Sequence, residues 1–305
     1  MSSVLIHAAP PAMMARKLEQ AKRLLCGPLS GLRSSDLFHE FRPIRYGATA
    51  VCAALMLNAV PEAAAQSAAE KGLQIAKTAR AADRGFGNYT AELSMVLRNR
   101  RGKESRRSLR IKVLEVAGDG NKTVFVFDNP KDVKGTAFLI HGHVSKSDDQ
   151  WLYLPALKRV KRISSSKRSG SFMGSEFAYE DLTIPEVEKF TYKWLRNEPC
   201  GNLTCTVLEM IPTERGSGYS RQIAWHDTKE FRAWKTEYYD RKNDHLKTLT
   251  FSGYKEHAGG FWKPESLNMV NHATGKSTDL NWSNYQFNTN LSEKDFTQTS
   301  LRRIR

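Results

Sequence analysis

Residues 92–113 read ELSMVLRNRRGKESRRSLRIKV. Apolar residues occupy every second position on both sides of a turn at 101–103: Leu93, Met95, Leu97, Leu109, Ile111 and Val113. An apolar residue at every second position is typical of a strand with one buried face, and the intervening glycine favours a turn. The stretch therefore predicts an antiparallel hairpin with one apolar face.

Similar short apolar runs continue to the C-terminus. They lie at 123–127, 136–141, 151–154, 206–211, 233–240, 246–254, 265–271 and 277–287, and turn residues separate them. Before the first hairpin, apolar residues in 68–82 are spaced as in an amphipathic helix that ends near 83–85. No alternation of strands and helices follows, which argues against a parallel sheet. The pattern predicts a mainly β (α+β) fold, either a sandwich or a barrel.

The composition is that of a basic globular protein. The 305 residues include 47 Lys and Arg against 32 Asp and Glu, for a formal net charge of +15. Such a chain favours an anionic surface as its partner. The sequence contains one apolar run long enough to be considered as a membrane span, so a multi-span membrane protein is excluded.

That apolar run has the features of a secretory signal. Arg42 and Arg45 precede an apolar core at 47–60, and Ala63 and Ala65 are small residues before a predicted cleavage site after Ala65. An uncleaved N-terminal anchor is the alternative. The prediction divides the chain into an N-terminal extension with a signal peptide, 1–65, and a single exported domain, 66–305, that would still carry a net charge of +12. Sec-type export to the periplasm would remove nucleic acid as a partner and leave anionic lipid as the natural counter-surface.

Two of the four cysteines lie in the exported part. Cys200 and Cys205 enclose four residues, and in an exported chain this spacing favours a disulfide that fixes a hairpin turn. A metal site is the less favoured alternative because it needs two further ligands nearby. Cys26 and Cys52 would be absent from the exported domain.

The sequence offers little catalytic chemistry. It contains no nucleophile elbow, no HExxH zinc motif, no P-loop and no dinucleotide-binding fingerprint. His141 and His143, with Asp148 and Asp149 nearby, form either a metal site or, as we favour, a polar strand end. Glu180 and Asp181 are adjacent and would point apart on a strand, so they would make a poor acid–base pair. We predict a protein without enzymatic activity, cofactor or metal.

Residues 149–182 combine bulky apolar residues with a dense group of cations. Residues 151–154 read WLYL and carry large apolar residues on both faces, and 172–174 read FMG, which predicts an exposed apolar tip or a mobile flap. Six cations lie between these runs: Lys158, Arg159, Lys161, Arg162, Lys167 and Arg168. The segment is either an apolar mouth with a cationic rim or a solvated basic hairpin beside core aromatics.

This segment resembles the outer membrane lipoprotein-sorting protein family, relatives of the LolA-type periplasmic carriers. The resemblance covers about 72–301 and rests on the runs 134–139, 151–155, 161–163, 174–182, 237–240, 247–251 and 271–275. It implies a LolA-like half-open antiparallel β-barrel, with an N-terminal helix and short helices that close an apolar cavity. The implied function is to shield acyl chains between the inner and outer membrane, which is physically reasonable because each buried methylene is worth about 0.8 kcal/mol.

For a carrier of this kind, the alternation and the density of aromatic residues suggest a lipid-binding cavity formed by Leu93, Met95, Leu97, Leu109, Ile111, Trp151, Tyr153, Phe172, Met173, Phe177 and Tyr179. Each of these is about equally consistent with a plain core residue. The six cations at 158–168 would form a basic rim that meets lipid phosphates or an acidic partner.

The resemblance also implies partners. The cargo would be an acylated lipoprotein or a free lipid, with an inner-membrane transporter and an outer-membrane acceptor as further partners, and the protein itself a monomer. Members of the family often occur beside efflux-type transporters. The alternative function is therefore a non-catalytic accessory subunit that docks on an envelope transporter of the RND type.

Overall fold

Thirteen antiparallel strands form one sheet in the computed structural model, which describes residues 66–257 and 259–304. The strands, including two of a separate hairpin (β12 and β13), are β1 (Asn88–Arg98), β2 (Glu104–Leu114), β3 (Lys122–Asn129), β4 (Ala137–His141), β5 (Asp149–Leu154), β6 (Arg159–Arg162), β7 (Phe190–Cys200), β8 (Leu203–Pro212), β9 (Tyr219–Asp227), β10 (Ala233–Asp240), β11 (His245–Ser252), β12 (Lys255–His257), β13 (Phe261–Lys263), β14 (Ser266–Asn271) and β15 (Lys276–Phe287).

Helices are few in the described residues. They are α1 (Ala68–Ala82), the short α2 (Gln298–Leu301) and five 3₁₀ turns at Pro155–Leu157, Ser165–Lys167, Tyr179–Leu182, Val187–Lys189 and Glu293–Phe296. The Ser67 side chain caps α1 by accepting from the Glu70 backbone N–H, and the Glu70 carboxylate accepts from the Ser67 backbone in return. This reciprocal capping fixes where the helix begins.

The order of the strands leaves the sheet open. It runs β6-β5-β4-β3-β2-β1-β15-β14-β11-β10-β9-β8-β7, and the pairing of β1 with β15 joins the N-terminal and C-terminal strands. The two edge strands are β6 and β7, which follow one another in the chain. The fold is therefore a half-open antiparallel β-barrel with an N-terminal helix, as predicted.

Because every strand is antiparallel to its neighbour, the turns alternate between two ends of the sheet. We call the end with the β1–β2 turn the proximal end. It holds the turns 99–103, 130–136, 155–158, 213–218, 241–244 and 272–275. The opposite, distal end holds the turns 115–121, 142–148, 201–202, 228–232 and 253–265.

The two faces of the sheet bury different clusters. The inner face carries the largest cluster, which includes Leu93, Met95, Leu109, Ile111 and Phe125, and continues into a smaller cluster beneath α1. On the outer face, β3 and β4 pack against the C-terminal segment through Phe296 and Leu301. Strands β7 to β10 form a further outer cluster.

The predicted helix at 68–82 and the predicted first hairpin are confirmed. Strands β7 and β9 were missed, and their inner faces turn out to line the cavity described below. Cys200 and Cys205 form a disulfide across the β7–β8 turn, with their Cα atoms 5.7 Å apart.

The predicted N-terminal extension and signal peptide, including Cys26 and Cys52, lie outside the described residues. The boundary after Ala65 and the division into 1–65 and 66–305 therefore stay predictions. Among the described residues, no helix has the length and apolar character needed to cross a membrane.

Helix α1 packs against β7 at Gly72. A Cβ at this position would lie 2.7 Å from the backbone nitrogen of Trp194 and 2.9 Å from the carbonyl carbon of Lys193. Beside this contact, the Lys71 ammonium lies 3.4 Å from the centre of the Trp194 ring. Glycine is thus needed here for a close approach between two backbones.

We expect Gly72→Ala to lower the free energy of unfolding by about 1–3 kcal/mol, because the new methyl group meets backbone that cannot move aside. Helix propensity alone predicts the opposite sign, a gain of about 1 kcal/mol for Ala over Gly. Urea unfolding of Gly72→Ala and of the exposed control Lys77→Ala would measure the difference. A Gly72→Ala protein at least as stable as the parent would show that α1 does not pack this closely.

Candidate functional site

A cavity of about 660 Å³ lies on the inner face of the sheet. Its walls come from α1, from β1 to β3, from β7 to β11, from β13 to β15, and from the connection between β6 and β7. This volume is within the range of sites that bind small molecules, roughly 300–1,000 Å³. The cavity is therefore the candidate functional site.

Aromatic side chains dominate the cavity wall. The larger ones are Tyr89, Phe125, Tyr192, Tyr219, Tyr238, Phe251, Tyr254, Trp262, Trp282 and Tyr285. Burial raises the pKa of each of these tyrosines, so their phenols stay protonated. Two of the hydroxyl groups donate to backbone carbonyls, Tyr254 to Ala233 and Tyr285 to Pro264. The wall thus presents uncharged rings to a ligand.

The connection between β6 and β7 covers part of the inner face. We call residues 163–189 the strap. Because β6 and β7 are the opposite edges of the sheet, the strap must pass over the strands between them. It contacts β15 where the Glu176 backbone N–H donates to Thr278 Oγ1 at 3.0 Å, and it contacts β2 where Arg107 donates to the Met173 carbonyl.

Two phenylalanines fix the strap to the apolar core. Phe172 and Phe177 are fully buried. The Phe172 ring lies 5.2 Å from the ring of Phe138, 5.8 Å from that of Phe127 and 6.1 Å from that of Phe125. The strap therefore fills part of the half-barrel. Phe172 is buried and not part of an exposed apolar tip, contrary to the prediction, while Met173 is half-buried and Gly174 exposed.

A buried ion pair holds the middle of the strap. Lys247 of β11 is 4% exposed, and its ammonium lies 2.6 Å from Oδ2 of Asp181, whose side chain is 1% exposed. Tyr219 donates its hydroxyl to the other carboxylate oxygen at 2.7 Å. The Lys247 ammonium also donates to the Glu176 carbonyl and lies 5.1 Å and 5.3 Å from the ring centres of Tyr219 and Tyr238. Both charges are thus paired and hydrogen-bonded, as a buried pair requires.

Glu180 provides a second contact next to this pair. Its carboxylate accepts from the Gly218 backbone N–H at 2.9 Å and from the Ser217 hydroxyl at 2.8 Å. Burial raises the pKa of Glu180, and these two hydrogen bonds oppose the shift only in part. The strap is therefore joined to the turn 213–218 at the proximal end.

Ion pairs also hold both ends of the strap. Near its start, the buried Arg168 pairs with Glu214. Near its end, the buried Glu186 binds Arg80 of α1 through two hydrogen bonds of 2.7 and 3.0 Å, and Arg84 at 2.9 Å. Lys189 pairs with Asp148 at the distal end. Four ion-paired positions thus tie the strap to the sheet and to α1.

His226 of β9 lies in the cavity wall. Burial lowers its pKa to about 4, and the neighbouring Asp227 opposes this shift only weakly. Asp227 is occupied elsewhere, since its carboxylate accepts from Arg232 at 2.8 Å and from the Trp234 indole at 3.0 Å. The imidazole is therefore neutral near pH 7, and its buried Nδ1 has no hydrogen-bond partner among the described residues.

The predicted cavity residues divide into three groups. Ile111 and Phe177 line the cavity. Seven others lie in or against the inner core beside it: Leu93, Met95, Leu97, Leu109, Phe172, Met173 and Tyr179. Trp151 and Tyr153 point to the outer face, where they pack in the cluster that contains Phe296. Contact of any of these residues with a lipid stays a prediction.

The six predicted rim cations do not form one ring. Lys158 and Arg159 are exposed at the proximal end, and Lys161 is exposed on the edge strand β6. Arg162 pairs with Asp149. Lys167 is exposed within the strap, whereas Arg168 is buried there.

The histidines at 141 and 143 have separate partners. His141 Nε2 lies 2.7 Å from the Phe296 carbonyl oxygen, while the ring nitrogens of His143 lie 2.8 Å from Asp119 and 3.2 Å from Asp149. Within residues 66–257 and 259–304, no group of three or more His, Cys, Asp or Glu side chains is arranged to hold a metal ion.

Sequence reasoning missed most of the true cavity wall. The missed residues include Tyr192, Met210, Tyr238, Phe251, Trp262 and Trp282. Alternation along β10 and β15 groups the residues that share a face, yet it does not say which face is the inner one. Helix α1 was predicted, but its position over the cavity depends on tertiary packing.

Three features define the class of protein as a LolA-like half-barrel: the half-open sheet, its N-terminal helix and the cavity beneath the strap. The same fold occurs in a LolA superfamily protein from Nitrosomonas europaea, with 20% identity, a TM-score of 0.61, and coverage of 75% of this chain and 99% of that chain. At this identity the similarity concerns the fold alone.

Closer matches identify the family. The solved structure of an outer membrane lipoprotein-sorting protein domain from Vibrio parahaemolyticus is 51% identical, with a TM-score of 0.75, and covers 77% of this chain and 99% of that chain. A DUF1329 family protein from Desulfovibrio piger has 29% identity and a TM-score of 0.73 over the same shares. A family model for DUF1329-like uncharacterized proteins matches residues 119–303. No curated protein matches the chain. The chain therefore belongs to the outer membrane lipoprotein-sorting protein family.

The ion pair at the centre of the strap gives a stability prediction. Asp181→Asn leaves the Lys247 ammonium buried without a counter-charge, which is expected to lower the free energy of unfolding by about 3–5 kcal/mol. The exposed pair of Lys255 and Glu265, 2.6 Å apart, is the matched control, and Glu265→Gln is expected to cost less than about 1 kcal/mol. Urea unfolding measures both. Similar losses in the two variants would contradict the assigned burial.

A pH-dependent contribution to stability follows from His226. The unfolded imidazole titrates near its ordinary pKa of 6.5, whereas the folded one titrates near 4. As the pH falls from 7 to 4, the unfolded state gains a proton that the folded state does not, so the free energy of unfolding decreases by about 3 kcal/mol from this group. Urea unfolding curves recorded between pH 7 and pH 4 would measure this contribution. His226→Gln is expected to remove it from the pH dependence of the free energy of unfolding, and the exposed control His245→Gln to retain it. An unchanged dependence in His226→Gln would disprove the buried neutral state.

Proposed function

We propose that this protein is a non-catalytic carrier that holds an acyl chain of a lipid or lipoprotein in the cavity under the strap. The observation that carries the proposal is an aromatic cavity of about 660 Å³ on the inner face of an open sheet. Each methylene removed from water is worth about 0.8 kcal/mol, so an acyl chain has a strong reason to occupy such a space.

The size of the cavity bears on the cargo. Its volume of about 660 Å³ lies within the range of sites that enclose small molecules, roughly 300–1,000 Å³, and an acyl chain is a ligand of that class.

The lining also suits a carrier that must release its cargo. Neutral tyrosine and tryptophan rings give a ligand large apolar contact without a fixed partner for a charged group. Met210 adds a side chain that adapts to different shapes. The aromatic part of this wall binds by area, which favours a range of acyl cargoes. The lining also holds charged side chains, such as Asp181, Lys189 and Lys263, and these are paired within the protein.

The route of the cargo is part of the proposal. The Vibrio parahaemolyticus relative is described as an outer membrane lipoprotein-sorting protein. With the predicted signal at 42–65 and the disulfide of the β7–β8 turn, which persists in oxidising compartments, this supports a carrier in the periplasm. It would receive cargo from an inner-membrane transporter and deliver it to an outer-membrane acceptor.

Native mass spectrometry of residues 66–305 purified from an envelope fraction tests the proposal. The expected result is a bound amphiphile that solvent extraction releases and identifies. Protein freed of lipid is expected to take up a fluorescent fatty-acid analogue in a saturable way. An empty protein that also fails to take up the analogue would overturn the carrier function and favour an accessory subunit that docks on a transporter.

A variant that fills the cavity sharpens this test. Ala79 of α1 lies in the cavity wall, whereas Lys77 on the same helix is exposed. Ala79→Trp is expected to weaken uptake of the fatty-acid analogue at least about 10-fold, because the indole occupies the space of several methylene groups. Lys77→Trp is expected to bind like the parent. Equal binding by the two variants, both shown to be folded by circular dichroism, would place the bound chain outside this cavity.

A further inference from the structure

The two ends of the half-barrel differ in charge. The six turns of the proximal end hold nine Lys and Arg residues and three Asp and Glu residues, whereas the five turns of the distal end hold five and six. Among these turns, the excess of cations lies at the proximal end. An uneven distribution of this kind is what a protein that meets an anionic surface requires.

Most proximal cations are free to meet a partner. Nine cations share this property: within the described residues their side chains take part in no ion pair or hydrogen bond, and all are exposed. They are Arg100, Arg101, Lys103, Lys131, Lys134, Lys158, Arg159, Lys242 and Lys276. In contrast, Arg98 in the same hairpin as Arg100 pairs with Glu104 and Asp279, and Arg106 pairs with Glu104.

Pairs of proximal turns lie in contact with one another. Gly275 faces Arg100, and a Cβ at Gly275 would lie 3.3 Å from the Arg100 Cγ. Gly135 faces Pro155 in the same way, at 3.2 Å. The β1–β2 turn therefore touches the β14–β15 turn, and the β3–β4 turn touches the β5–β6 turn. These cations therefore lie on two pairs of contacting turns and not on isolated loops.

Exposed apolar side chains accompany these cations. Three large hydrophobic residues of the described chain are exposed, and two of them, Leu157 and Ile211, lie at the proximal end. Leu157 is 55% exposed in the β5–β6 turn and is followed directly by Lys158 and Arg159. An apolar side chain beside cations suits the boundary between lipid headgroups and acyl chains.

We propose that the proximal end docks on an anionic phospholipid bilayer. Anionic headgroups move laterally, so they can match cations that come from separate turns without a fixed geometry. An acidic protein surface would need a matched arrangement of carboxylates and offers Leu157 no apolar layer. This proposal is independent of the cavity, because the free cations named above do not line it.

Co-sedimentation with vesicles tests the docking surface. The probes are vesicles of phosphatidylglycerol mixed with phosphatidylcholine, and of phosphatidylcholine alone. We expect binding to the anionic vesicles only, and binding that weakens as salt is added. The proximal variant carries Lys131→Gln, Lys134→Gln, Lys158→Gln and Arg159→Gln. The matched control carries Lys77→Gln, Lys193→Gln, Lys294→Gln and Arg303→Gln, which removes the same charge from exposed positions elsewhere.

The proximal variant is expected to partition onto anionic vesicles about 100-fold less than the parent, and the control variant within about 5-fold of it. Leu157→Ser is expected to weaken partition about 5-fold, while Leu73→Ser, which changes an exposed leucine of α1, has no effect. Equal losses in the two charge variants, equal binding to neutral vesicles, or binding to an acidic protein partner without binding to vesicles would each overturn the proposal.

The outcome is separable from that of the carrier function. Uptake of the fluorescent fatty-acid analogue in the absence of vesicles is expected to be the same in the proximal variant and in the parent. If the protein binds vesicles through the proximal end but takes up no analogue, the docking proposal stands and the carrier proposal fails. If it takes up the analogue but does not bind vesicles, the carrier proposal stands and the docking proposal fails.

Discussion

The chain must pass from β6 to β7, and these strands are the two free edges of the sheet. Most other connections join strands that pair with each other, so this one alone, within the described residues, spans the width of the half-barrel. The strap therefore lies over an apolar surface, where its backbone polar groups need partners other than water. It supplies several itself: the Phe172 N–H donates to the Phe177 carbonyl at 2.7 Å, and the Tyr179 N–H donates to the Gly170 carbonyl at 3.1 Å.

The side chains of the strap combine two kinds of interaction. Phe172 and Phe177 provide apolar burial, which stabilises contact with the sheet without fixing a position. The ion pairs of Asp181 and Glu186 are costly to desolvate, so they are stable only in the geometry that pairs both charges. They therefore fix the position of the strap on the sheet and on α1. Since the cavity is the space left between the strap, α1 and the sheet, these pairs set its size. A larger cavity would require these pairs to separate, which links the stability of the strap to the space beneath it.

The sequence predicted the parts that depend on local pattern. Alternation around the turn at 101–103 predicted the first hairpin, and the spacing in 68–82 predicted α1. Strand β9 was missed because residues 222–225 are all buried, which hides the alternation. Strand β7 was missed because most of its side chains are exposed or half-buried and because it includes Pro199. For the site, alternation groups residues by face but does not identify the inner face. This is why Trp151 and Tyr153, chosen for their density of aromatic rings, lie on the outer face beneath the C-terminal segment. Likewise Arg168 and Lys167 are neighbours in sequence, yet the strap buries one and exposes the other.

The charged end and the cavity are connected through one turn. The turn 213–218 carries Arg215 at the proximal end, and the same turn carries Glu214, which holds Arg168 of the strap. Its Ser217 and Gly218 bind Glu180 next to the central ion pair. Burial raises the pKa of Glu180, and its hydrogen bonds to Gly218 and Ser217 oppose that shift. The turn 213–218 thus belongs both to the proximal end, where docking is proposed, and to the contacts that hold the strap at Arg168 and Glu180.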